Sequence, residues 1–322
     1  MSDRTIVIGA GLSGLAAARE LLRRDIPCAL IELRARAGGS LCSERSAGFV
    51  LDSGPMAFER ERSGSLPDGP WPEEAFFELE DQEGGRRLHA LREGSEALLQ
   101  PLMDPLPTGA LLTRMAVSSL GRFGPGFAIC LENGMVLTAP ALVLAAPARA
   151  AGRMLYSLCP QVGASLRDFD HDSITRVTLG YRREDIPLPV PAPPDTGFAF
   201  CHWTDHPARV PRDHVLLQLG LRMLPADVPA ALVIDELQAN MGWPPTHIVA
   251  RVARWPGPDC LEPHEPQHPG RMRALRQQLP AGLTLIGSDY GAPQLEDRVR
   301  QARDAATAIA DWLVRQSGKR DR

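Results

Sequence analysis

The sequence predicts an α/β protein in which a parallel-sheet domain is interrupted by a smaller, sheet-based α+β domain. Three observations carry that expectation. A strand, a glycine loop, a helix and a second strand follow one another within the first 31 residues. Short apolar runs, Ala141-Leu142-Val143-Leu144 and Leu283-Thr284-Leu285-Ile286, recur far along the chain, as buried parallel strands do. Between them, residues 173–181, 197–203 and 214–221 read as strands of a second sheet.

Taken in order, Thr5-Ile6-Val7-Ile8 is a β-branched run stopped by Gly9, and residues 12–24 then read as a helix with Leu15, Ala18 and Leu22 on its apolar face. Cys28-Ala29-Leu30-Ile31 is a second strand ending at Glu32, which completes a βαβ unit with parallel strands. Residues 59–87 lack periodicity and read as surface loop with one short helix around 73–80. Strand-like pattern returns from Leu111, with Asn133-Gly134 as a hairpin turn between residues 128–131 and 135–138. The proline-rich run 187–194 is an extended loop. Residues 228–241 form a helix and 248–254 a strand. Finally Leu295, Val299, Ala302, Ala306, Ile309 and Leu313 step by four and three, which is an amphipathic helix.

Composition bounds the function. The 322 residues are 44% apolar and 23% charged, ordinary for a globular chain long enough to build a core without staples. A formal charge of −4 gives no basic field for nucleic acid or an anionic membrane. Lysine occurs once, at Lys319, so a mechanism that needs a buried lysine is excluded. The six cysteines are scattered with no C-x-x-C pair, which suits free thiols in a reducing, cytoplasmic compartment. No apolar run approaches the roughly 20 residues that cross a bilayer, and the early strand argues against a signal peptide.

Gly9-Ala10-Gly11-Leu12-Ser13-Gly14 matches G-x-G-x-x-G between a strand and a helix. The glycines serve a tight turn, close approach to a pyrophosphate and tight helix–strand packing, and the helix N-terminus offers N–H groups to phosphate. Glu32 ends the next strand, where its carboxylate can accept a ribose diol. This is a Rossmann-like dinucleotide signature. Arg36, Gly38-Gly39 and the turn Asp52-Ser53-Gly54-Pro55 follow in order.

This ordered set resembles the flavin-containing amine oxidase and protoporphyrinogen oxidase superfamily. The resemblance implies noncovalent FAD rather than NAD, held by Gly9 to Gly14, Glu32, Leu33, Arg36, Gly38, Gly39, Ser40, Gly54, Pro55 and Met56. It further implies that Met115 binds adenine through its backbone N–H and C=O, and that Ala145-Ala146 form a crossing near the flavin. Ser173 to Asp185 and Arg254-Trp255-Pro256 are similar to substrate-domain strands of protoporphyrinogen oxidases. Gly287, Ser288, Asp289, Arg298 and Val299 resemble the closing flavin motif, whose helix would stabilise negative charge on reduced flavin. Three departures stand out: Ser40 replaces a basic residue, Ala302 stands where a glycine is frequent, and the helical insertion is reduced to residues 59–90. That shortening weighs against protoporphyrinogen itself as substrate, and in compactness the chain resembles renalase-like members. Many amine-oxidising relatives also hold a lysine near flavin N5.

The expected organisation is an FAD domain of residues 1–58, 90–160 and 257–315, a substrate domain of 161–256, a shortened cap of 59–89 and a mobile tail of 316–322. Tyr181, Phe200, Trp203 and Trp255 are candidates to line the substrate side or to be core aromatics. His202 and His206 sit four apart in a strand-like context before Pro207, and His264 and His268 lie among prolines, so loop histidines are expected rather than a metal site. No catalytic side chain is singled out, because hydride transfer to N5 is the cofactor's chemistry. The expected activity is an FAD-dependent oxidoreductase acting on a nitrogen-adjacent or conjugated C–H of a small molecule. The alternative is a flavin-binding subunit without turnover of its own. Oligomeric state and protein partners stay open.

Overall fold

The computed structural model describes residues 3–59, 70–79, 87–172, 174–190, 197–222, 227–254, 259–260 and 265–320. Its central sheet has five parallel strands in the order Leu283–Leu285, Leu142–Leu144, Thr5–Ile8, Cys28–Ile31 and Leu111–Leu112. Side chains alternate across it. Val7, Leu30 and Val143 face a core shared with helices Leu12–Leu22 and Leu295–Arg320, through Leu15, Ala18, Val299, Ala302 and Ile309. Ile6, Ile8, Ala29, Leu142, Leu144 and Leu285 face the opposite core, with helices Ala148–Leu155, Pro160–Arg167 and His268–Gln278. Both faces are covered, which is why these strands read as unbroken apolar runs.

Strands Val117–Phe123, Gly126–Leu131 and Val136–Ala139 form an antiparallel sheet over the second core. At its expected Asn133-Gly134 turn, Gly134 takes φ +84 and Asn133 Oδ1 accepts the Met135 N–H at 3.0 Å.

The second large sheet is antiparallel, in the order Phe198–Thr204, His214–Arg222, Ile174–Arg182 and Val249–Arg254. One face buries Val177, Leu179, Tyr181, Val215, Leu217 and Leu219 under helix Ala230–Met241, against Val233, Ile234 and Leu237. Its other face meets strand Phe49–Asp52, where Phe49, Leu51, Met56 and Val210 pack on Leu216 and Val249.

Three expectations are corrected. The short helix expected around 73–80 does not form over the described residues 73–79: Glu73–Ala75 is a single 3-10 turn, and Phe76–Leu79 is a strand paired with Leu88–Leu91, which also pairs with Phe58–Glu59. The buried Phe76, Phe77 and Leu79 give that segment its partners. His268 is not in a loop but opens a helix and is buried edge-on to Phe169. The last helix runs to Arg320, so residues 316–320 are helical backbone rather than a mobile tail. Trp255, Pro256, Ser173, residues 191–194 and His264 lie outside the described residues, as does the side chain of Lys319.

Candidate dinucleotide site

The first strand stops at Gly9 because φ there is +98, and a Cβ would sit 2.7 Å from the Ala145 carbonyl oxygen. A Cβ on Gly14 would lie 1.9 Å from the Gly9 oxygen, so helix and strand are closer than any side chain allows. Gly11 is different: among the described residues beyond its chain neighbours, no heavy atom lies within 4 Å of where its Cβ would be. It is the N-cap of helix Leu12–Leu22, with no side-chain cap and no acid in the first turn. The first-turn N–H groups therefore face open space with a partial positive charge, which is an anion cradle.

Glu32 sits buried beside that cradle. One carboxylate oxygen accepts the Ala10 N–H at 2.9 Å and the other the Arg34 N–H at 2.8 Å. Each oxygen keeps a second lone pair, so a ribose diol has two acceptors waiting. Leu33, 66% exposed, offers apolar surface next to it. The Met115 N–H donates to the Glu32 carbonyl at 2.9 Å, so the expected adenine contact through that N–H is corrected.

The paired glycines carry the path onward. Gly38 and Gly39 have φ +108 and +59, and a Cβ on Gly39 would come within 3.5 Å of Gly11 Cα. Arg36 does not reach into the open space. Its guanidinium donates to the carbonyls of Ala37 and Leu41, both at 2.9 Å, and of Gly39 at 3.3 Å, and so shapes the loop from behind. Ser40 then meets the next glycine, since a Cβ on Gly54 would lie 2.0 Å from its carbonyl oxygen.

That turn is fastened by its own Asp52 and by partners that the sequence did not single out. Asp52 is buried and accepts from Ser43 Oγ at 2.6 Å, from the Ser95 N–H at 2.8 Å and from Ser95 Oγ at 2.9 Å. Its other oxygen pairs at 2.6 Å with Arg209, whose side chain is fully buried and also donates to Val50 and Leu91 carbonyls. Gln218 is fully buried on the second sheet: its amide nitrogen donates to the Asp52 and Gly54 carbonyls at 2.9 Å, and its oxygen accepts the Met56 N–H at 3.0 Å. The turn is thus held to the second sheet.

Ala145 and Ala146, which follow strand Leu142–Leu144, adjoin the glycine loop, and the Tyr290 hydroxyl donates to the Ala146 carbonyl at 2.6 Å. Gly287 has φ +139 and gives its N–H to Gln301 at 2.7 Å. Asp289 is committed elsewhere, accepting the Ala148 N–H at 2.8 Å and the Ser288 hydroxyl at 3.0 Å, and it caps helix Ala148–Leu155. Arg298 braces the turn before the last helix through the Ala292 and Pro293 carbonyls, and Val299 is core.

On the second sheet the aromatic candidates separate by face. Tyr181 is fully buried on the helix-covered side and bonded to Gln238 at 2.7 Å, which pins it as core; burial pushes its hydroxyl pKa up. Trp203, opposite Leu217, packs into the same core. Of the two alternatives left open for them, these two take the core one. Phe200, opposite Gly220, lies on the other face with Gln218. His202 is stacked on Phe200, whereas His206 stacks on Phe77 and contacts Arg92 at 3.1 Å. Burial and the Arg92 charge hold the His206 pKa below its ordinary value. Among the described residues no group of three potential metal ligands occurs.

Comparison with known proteins agrees with this geometry. The sequence model of the family described as Flavin containing amine oxidoreductase matches residues 73–309, and that of an NAD(P)-binding Rossmann-like domain matches residues 7–66. The chain is 22% identical over 260 residues to a coproporphyrinogen III oxidase of Bacillus subtilis (strain 168), covering 72% of this chain and 54% of that protein. It thus spans about half the length of that relative. Among solved structures, a protein assigned as a protoporphyrinogen oxidase from Exiguobacterium sp. 255-15 superposes with a TM-score of 0.72 at 16% identity, over 96% of this chain and 99% of the other. Cyclohexylamine oxidase from Brevibacterium oxydans IH-35A gives 0.69 at 14% identity, over 97% and 100%. These two share the fold.

Proposed function

The chain belongs to the flavin containing amine oxidoreductase family, and on that premise we propose that it is an FAD-dependent oxidoreductase that binds FAD noncovalently. One observation carries the reading: the open cradle at Gly11, with buried Glu32 beside it, continues along Gly38 to Ser40 to the Gly54 turn. The residues present fit the group. The uncapped first turn of helix Leu12–Leu22 would hold the pyrophosphate and Glu32 the ribose diol, with Leu33 against adenine. Bound there, the flavin supplies the hydride acceptor. The chain's own part is to bind, to orient and to exclude water: Arg36 and Gln218 fix the two loops, and the second sheet covers the substrate side. The substrate is a small molecule with a conjugated or nitrogen-adjacent C–H. In this reading the protein works in a reducing, cytoplasmic setting; among the described residues no helix is long and apolar enough to cross a membrane. The second reading, a flavin-binding subunit without turnover, draws on the shortened cap segment of residues 59–89. Stopped-flow reduction of the purified protein separates them. Rapid bleaching by a donor from a porphyrinogen, dihydropyridine and amine panel is expected, and a flavin that none of them reduces favours the subunit reading.

A further inference from the structure

The turn after strand Phe198–Thr204 carries a histidine that joins the second sheet to the cap strands Phe58–Glu59, Leu88–Leu91 and Phe76–Leu79. The His206 N–H donates to Thr204 Oγ1 at 3.1 Å, and its carbonyl accepts the Arg209 and Val210 N–H groups at 2.8 and 3.2 Å. Its backbone is thus fixed by the turn that delivers Arg209 to Asp52. Its ring lies flat on Phe77, with centroids 4.1 Å apart and planes 18° apart.

Both ring nitrogens face donors. The Ala208 N–H points at Nδ1 from 3.2 Å, and Arg92 Nη1 points at Nε2 from 3.1 Å. A backbone N–H and a guanidinium only donate, and a neutral imidazole has one ring nitrogen free to accept. The neutral ring therefore satisfies one donor and turns its own N–H on the other. An imidazolium satisfies neither, and it sets a second positive charge against Arg92. The Arg92 guanidinium is itself anchored, since its Nε donates to the Glu74 carbonyl at 2.7 Å.

The surroundings mostly favour the neutral ring. Burial disfavours the charged form first and Arg92 next; Asp205 favours it, and Arg209 opposes it. Asp205 is exposed and also pairs with Arg183 at 3.6 Å. The Phe77 face would accept a cation, but it leaves both donors at the ring edge in place. Glu78 and His89 oppose each other in the cap strands and alternate away from the face that carries Phe77 and Ala90.

We propose that His206 is an acid-released latch between the cap strands and the second sheet, closed while its ring is neutral and opened when a proton turns both edge contacts into donor–donor contacts. Opening parts Phe77 and Arg92 from the turn. The Arg209 bonds to Val50 and Asp52 do not involve the cap strands, so the Gly54 turn stays in place; its bond to the Leu91 carbonyl at 3.0 Å is the one that opening stretches. Freed from the cap, the ring titrates near the ordinary histidine value of about 6.5, and in the closed form it titrates below its ordinary value. Well above about pH 6.5 both forms are neutral and the latch does not respond to pH. Below it only the open form takes the proton, and the open population rises by up to about tenfold per pH unit until the closed ring titrates too.

Hydrogen exchange of the whole protein from about pH 8 to about pH 5, read by mass spectrometry and corrected for intrinsic amide chemistry, tests the latch. Segments covering Phe76–Leu79 and Leu88–Leu91 are expected to lose protection by up to about tenfold per pH unit below about 6.5, while strand Thr5–Ile8 keeps its own. In His206→Gln, which retains an acceptor and cannot titrate, protection of the cap strands should be flat over that range, with Thr5–Ile8 reporting that the variant is folded. Ring NMR of the unsubstituted protein gives a second readout, in which His206 is expected to titrate below the ordinary histidine value. Cap protection that ignores pH, or that falls equally in His206→Gln, would overturn the proposal, and so would a His206 ring that titrates at or above the ordinary value.

Discussion

In the proposed function Glu32 serves both the loop and a ligand. Its two oxygens already take the N–H groups of Ala10 and Arg34. In Glu32→Gln the amide nitrogen must face one of those donors, and a charge-assisted acceptor worth about 1.5–3 kcal/mol is lost. FAD affinity is expected to fall about tenfold or more with the fold retained, read by flavin titration; an unchanged affinity would make Glu32 a structural residue only. Arg209 presents the opposite case. Removing it as Arg209→Met leaves Asp52 charged, buried and short of its partner, and should cost about 3–5 kcal/mol in urea unfolding. A loss below about 1 kcal/mol, the scale of an exposed pair, would contradict the importance of the pair. Thiols follow burial too. Cys28 and Cys201 are pushed up to about 11 and about 12 by desolvation and stay protonated at neutral pH. Among the described thiols iodoacetamide should label the half-buried Cys42 and Cys130 first, and early labelling of Cys28 would contradict its burial. Glu32 was legible because the glycine motif fixes its spacing. Arg209 and Gln218 were not, because each acts on backbone more than 150 residues away and neither sits in a recurrent pattern.

The central-sheet strands and the first and last helices were readable from sequence for one reason: cores on both faces of the sheet demand continuous apolar strands and a helical stripe opposite them. Residues 73–80 were misread because their strand partner, Leu88–Leu91, is set by tertiary pairing that short-range pattern does not reveal. The strands of the second sheet were found, but not which face each aromatic takes, since that depends on register: Phe200 opposes Gly220 while Trp203 opposes Leu217. Helix packing gives an element-scale prediction. Ala302, fully buried where the first and last helices meet, takes the place where a glycine is frequent in the family. Ala302→Leu should overpack that seam and cost about 1–3 kcal/mol, measured as a lowered Tm, and a neutral result would mean the seam has slack.

Across the whole molecule, the proposed dinucleotide path runs from the first helix on the central sheet to the second sheet. It starts at the helix N-terminus beside Gly11, runs along Gly38 to Ser40, and ends at a turn that Gln218 ties to the second sheet. The single lysine belongs to the last turns of the final helix, past the core step at Ile309. Lysine-assisted oxidation of simple primary amines is therefore expected to be weak beside that of planar conjugated donors in an oxidase panel. Fast amine turnover that survives Lys319→Ala would reverse that ranking. The path itself is the central claim, and acid precipitation of the freshly purified protein tests it most directly. A yellow protein that releases FAD into the supernatant, about one per chain as a single Rossmann cradle requires, is the predicted result. A colourless protein that cannot be reconstituted with FAD would contradict it.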